Sequence, residues 1–97
     1  METEHRIRVD LICTHYNVEI AFIESLQDYG LLEIHHQADN RYLDSLCLQD
    51  LERMIRLHFD LGVNMEGIDT ITHLLKRMQY LQEEVQQLRN RLHGQPD

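Results

Sequence analysis

The chain has 97 residues, 42% of them hydrophobic and 27% charged, with a formal net charge of −8 at pH 7. That length bounds it to one domain with room for an extension, and four Gly and one Pro point to helices joined by short loops. No apolar run approaches the ~20 residues of a membrane span, and an acidic balance works against phosphate binding, which relies on Lys and Arg.

The opening residues, METEHRIR, lack the apolar core of a signal peptide, so a cytoplasmic protein is expected. A first helix is predicted over Asp10 to Tyr16, with Leu11 and Ile12 apolar. Asn17 suits the turn after it, because it tolerates left-handed geometry. A second helix is predicted from Glu19 to Tyr29, where Ile20, Ile23 and Leu26 recur at helical spacing and Gly30 is the stop. Two helices around a tight turn have the layout of a helix-turn-helix, whose second helix usually lies against DNA. This second helix carries Glu19, Glu24 and Asp28 and no Lys or Arg. Glu19 also suits the positive end of the helix dipole.

LLEIHH and RYL flank the polar stretch QADN and read as a short hairpin, a wing. Leu32 and Ile34 alternate with Glu33, and Tyr42 is expected to pack across from them. Asp44 or Ser45 is expected to cap a third helix with Leu48, Leu51, Ile55 and Phe59 on one face, closed by Leu61 and Gly62. Asn64 is a good N-cap for the next helix, and Val63 before it can staple onto Ile68. Nothing then breaks the helix until Gly94 and Pro96. Along it Ile71, Leu74, Met78, Leu81, Val85, Leu88 and Leu92 step alternately by three and four, a heptad seam about 33 Å long. Such a stripe can be the core face of a bundle. The polar remainder, QEEVQQLRNRL, favours a coiled coil, and those seven residues are the expected homodimer interface, its strand direction open. The division expected is residues 1–62 for the helix-turn-helix and wing, and 63–97 for the dimerising helix.

The charge is unevenly placed. Residues 1–52 hold eleven Asp and Glu against three Arg, whereas residues 53–97 hold six acids and six bases. The whole imbalance therefore falls on the half with the helix-turn-helix pattern. Solubility alone is one reason for an acidic surface; a basic partner is another.

Candidate chemistry is sparse. Cys13 and Cys47 form no spaced metal or redox motif. His35 and His36 are adjacent on a predicted strand and point to opposite faces, and Cys13 and His15 do not share a helix face. No Gly-rich phosphate loop and no Ser or Cys beside a base is present, so neither catalysis, metal nor cofactor is expected. His58, followed by Phe59 on a predicted buried helix, reads as a satisfied, partly buried histidine. Arg53, Arg56 and His58 make a small basic strip, either bridged to Asp50, Glu52 or Asp60 or offered to a partner's carboxylate.

The order of parts, and SLQDYGLLEI with Tyr29, Gly30, Leu31 and Leu32, resembles the MerR-type winged helix-turn-helix from about residue 7 to 93. The resemblance implies a mainly helical fold with a small hairpin wing and a long C-terminal coiled coil. It departs at the reading helix: where the family usually has an arginine, this chain has Ile20, Phe22, Ile23 and Glu24. In the wing Arg41-Tyr42 survives from a glycine-tyrosine-arginine-tyrosine run. MIRLHFDLGVNMEGIDTITHLLKRM (54–78) and LRNRL (88–92), with Arg56-Leu57-His58 in place, are similar to the CbpM-type chaperone modulators, an offshoot of that family. That likeness implies binding to the J-domain of a DnaJ- or CbpA-type co-chaperone and inhibition of it. The candidate contact residues are Glu19, Glu24, Asp28, Glu33, Arg56 and His58, with Asp44, Asp50 and Glu52 an equally acidic option. The alternative is a dimeric MerR-like transcription regulator using Arg6, Arg8, Arg41, Arg53 and Arg56 on phosphates.

Overall fold

A computed structural model describes residues 5–94. Strand β1 (Arg6–Arg8) leads into α1 (Val9–Tyr16) and α2 (Ile20–Asp28). The hairpin β2 (His35–Gln37) and β3 (Asn40–Asp44) comes next, then a 3₁₀ turn (Ser45–Cys47), α3 (Leu48–Ile55) and a π-helical turn (Arg56–Asp60). The last element is α4 (Met65–Leu92). Pro96, expected to help stop α4, lies outside the described residues.

Local backbone chemistry sets the joints. Asn17 takes φ 58, ψ 48, and the amides of Asn17 and Val18 close onto the carbonyls of Thr14 and Cys13. Gly30 does the same for α2 at φ 76, with Gly30 and Leu31 bonding Gln27 and Leu26. Both are αL stops of the kind that satisfies orphan carbonyls. Asn64 Oδ1 accepts the Gly67 amide at 2.8 Å and starts α4.

Helical spacing places the core. Val9 and Ile12 of α1, Phe22, Ile23 and Leu26 of α2, and Leu51 and Met54 of α3 meet Leu43 of β3 and Ile68 of α4. Ile23, Leu26, Leu43, Leu51 and Ile68 are fully buried, each such burial favouring the fold by about 1.5–3 kcal/mol. The wing is a three-stranded antiparallel sheet in the order β1-β3-β2. Strand β1 is not evident in the sequence. It pairs Ile7 with Leu43 and Arg8 with Tyr42, closing the edge of β3. The hairpin turn is two residues, Ala38 and Asp39, both at positive φ (49 and 66) as the twist of a tight hairpin requires.

Two expectations are corrected. Leu32 and Ile34 are buried but precede the strand, which begins at His35; Tyr42 therefore faces His35 across the ladder rather than the two apolar residues. Phe59 does not join the core face of α3. Between Arg56 and Asp60 the ladder widens, with the Leu61 amide reaching the Arg56 carbonyl five residues back at 3.2 Å. The wider turn rotates Phe59 outward, leaving it 55% exposed, while Met54 fills the core.

Helix α4 contributes Ile68 and Thr72 to the core and then leaves it. The radius of gyration is 17.0 Å, against about 13 Å for a compact domain of this size. The excess is that protruding helix. Its seam residues from Leu74 to Leu92 are about half exposed or more, and Ile71 is half-buried.

Candidate interaction surface

The outward side of α2 is acidic because its inward side takes the apolar residues at helical spacing. With Phe22, Ile23 and Leu26 inside, Glu24, Gln27 and Asp28 are left exposed. Glu24 and Asp28 share one hollow with Gln27, Ile34, His36 and Arg41 of the wing. Arg41 donates to Glu24 at 2.8 Å, and the Ile34 amide donates to Gln27 Oε1 at 3.1 Å. The helix is thus tied to the wing at two points, while Asp28 meets no cation among the described residues. Glu19 is the exposed N-cap residue of α2, at its far end. Glu33 lies apart, in a depression with Gly30, Leu31, Asp44 and Cys47.

The five arginines that DNA binding would need are mostly engaged within the chain. Arg6 sits 3.7 Å from Asp44, Arg8 bonds Asp10 at 2.7 Å, Arg41 bonds Glu24 at 2.8 Å and Arg53 bonds Asp50 at 2.9 Å. Such half-exposed pairs add little stability, yet each cancels a charge that a phosphate would use. Arg56 is exposed and forms no ion pair with another described residue. The same contacts occupy the other acidic option. Asp44 is shared by Arg6 and His35, Asp50 holds Arg53, and Glu52 accepts the Tyr16 hydroxyl at 2.7 Å. That bond raises the Tyr16 pKa, since ionised Tyr16 would lose its donor and face Glu52.

His58 is partly buried, and its Nδ1 lies 2.9 Å from the Val63 carbonyl. A carbonyl oxygen can only accept, so Nδ1 is the donor of this pair. Phe22, His58 and Phe59 form an aromatic cluster with ring centroids 4.8–5.2 Å apart. No pattern in the sequence marks this cluster, because it exists only through the π turn.

Cys13 and Cys47 are free thiols whose pKa values burial pushes up, with Asp44 and Asp50 adding to the effect at Cys47. A raised thiol pKa keeps them protonated and poorly nucleophilic. Among the described residues no three His, Cys, Asp or Glu gather as a metal would need, and no helix is long and apolar enough to cross a membrane.

With this geometry in place, residues 7–90 match the model of the MerR HTH family of regulatory proteins, and the chain belongs to that family. This is a family of regulators, not of enzymes. No curated protein and no solved structure matches the chain.

Proposed function

We propose that this MerR-like regulator is a cytoplasmic homodimer that acts on a protein rather than on DNA, binding the basic helix of a J-domain co-chaperone of the CbpA/DnaJ type and inhibiting it. The observation that carries this reading is α2 itself: a helix in the reading position with Glu24 and Asp28 on its open side and no Lys or Arg. A helix of this shape and sign is repelled by phosphates and attracted by a basic protein surface. Charge complementarity would raise the association rate and select the partner, with buried apolar contacts supplying most of the affinity. The exposed seam from Leu74 to Leu92 supports pairing of two copies.

The test is a titration of the dimer with the isolated J-domain of its own cell's co-chaperone at two salt concentrations. The expected result is binding that weakens with salt, together with loss of J-domain-stimulated chaperone ATPase activity. No binding at tens of micromolar would remove the reading.

Family membership favours a second reading, a DNA-binding regulator. DNA binding by this protein alone, lost steeply between about 50 and 200 mM salt, would establish it. The carboxylate-held arginines weigh against that outcome.

A further inference from the structure

A groove of about 510 Å³ runs beside α2, separate from the Glu24–Arg41 hollow. Phe22, Val18 and Ala21 line one side, and His58, Phe59 and Met65 the other. Its lining is mainly apolar, and Phe59, 55% exposed, stands in it. An exposed phenylalanine held by ring contacts to Phe22 and His58 is a pre-ordered apolar platform. It stands on the π-helical Arg56–Asp60 turn, a departure from regular helix that is frequent at functional sites.

The groove's lining holds one Asp or Glu, Glu19, and no Lys or Arg among the described residues. Past Ala21 and Ser25 the helix leads to Asp28, which lines the neighbouring hollow rather than this groove and has no cation of its own among the described residues. An apolar floor with Glu19 in its lining and Asp28 beyond it matches an amphipathic helix that offers an apolar anchor flanked by Lys or Arg.

We infer that this groove seats the partner's helix: an apolar side chain packs on Phe22, Phe59 and Met65, and flanking basic residues meet Glu19 and Asp28. The partner's identity rests on the co-chaperone reading; the groove's chemistry does not. Glu24 takes a different task, since its carboxylate holds Arg41 and braces the wing. Of the acids on α2, Glu19 and Asp28 are the ones that receive the partner's charge. His58 serves as a wall of the groove, packed against Phe22 and Phe59.

The test compares the full chain with Phe59→Ser and with Ala21→Lys, which replaces an exposed groove residue and touches no core position. Each is titrated with the J-domain and, separately, with a designed amphipathic peptide of about four helical turns carrying leucine anchors between lysines. Circular dichroism and sedimentation confirm the fold and oligomeric state of each variant. The expected result is that both variants weaken J-domain binding about tenfold or more while remaining folded and unchanged in assembly. J-domain binding unaffected by both variants overturns the groove and leaves the co-chaperone reading standing. No J-domain binding, with peptide binding that depends on Phe59, keeps the groove and removes that partner. If neither probe binds, both fall. A change of oligomeric state in both variants assigns the groove to a second copy of this chain and overturns the proposal.

Discussion

The Tyr29 hydroxyl donates to the Glu66 carboxylate at 2.9 Å, tying the end of α2 to the first turn of α4 across 37 residues of chain. Through this contact the acidic helix is braced against the base of the protruding helix. The Glu66 carboxyl is held below the usual carboxylate range, first by its own backbone N–H and then by Tyr29. The Tyr29 phenol is pushed up by the same bond. A depressed carboxyl stabilises the fold above its unfolded pKa, and that contribution is lost as pH falls through the folded value. A raised phenol stabilises below its unfolded pKa and loses this as pH rises through its higher folded value. The pair therefore acts across the whole neutral range and fails at both ends. Carbon-detected NMR titration should show the Glu66 midpoint rising in Tyr29→Phe, yet staying below normal because the backbone bond remains.

Leu81 lies at the centre of the α4 seam and is 49% exposed in the single chain. Leu81→Glu places a charge in the expected seam without touching the core. Sedimentation should shift from dimer to monomer, and near-UV spectra of the winged domain should persist. A variant still dimeric would move the interface away from α4.

Gly67 stands in the first turn of α4 with little room around it. A Cβ there would lie 2.6 Å from Val63 Cγ1 and 3.2 Å from Asn64 Oδ1. Helix propensity favours alanine by about 0.8–1 kcal/mol, but the β-branched Val63 is stiff, and overpacking costs about 1–3 kcal/mol. Gly67→Ala should therefore lower stability in urea denaturation, and the double change with Val63→Ala should recover part of the loss.

Ala38 sits at φ 49 in the wing turn, where an alanine costs roughly 1–2 kcal/mol relative to its preferred backbone. Ala38→Gly or Ala38→Asn should raise the melting temperature modestly. Asn17→Val, which forces a β-branched residue into the same region at φ 58, should lower it. Thermal denaturation of the three variants tests this directly.

The joints of the fold are legible in the sequence because they are local. Asn17, Gly30, Gly62 and Asn64 each act through backbone groups within a few residues, so their roles derive from residue type. The α4 seam is legible for the same reason, as a period repeated over three heptads. Strand β1 is not, since three residues, two of them arginine, acquire strand character only by pairing with β3 some 36 residues away. The Glu24–Arg41 and Tyr16–Glu52 contacts are hidden likewise, because each joins elements distant in the chain. Phe59 escapes a reading by constant helical period because the turn it occupies breaks that period.

That π turn separates the two ends of one continuous helical segment. A widened turn absorbs one extra residue, so the residues beyond it are out of phase with those before it by about 100°. Leu51 and Met54, before the break, remain committed to the core, while Phe59, within the widened turn, is released to the surface. Removing a single residue between Arg56 and Asp60 would restore the phase and swing Phe59 inward, closing the groove with its remaining wall residues unaltered. The outward placement of Phe59 is therefore set by a one-residue difference in the helical count, and the aromatic and apolar side chains around it give the groove its character.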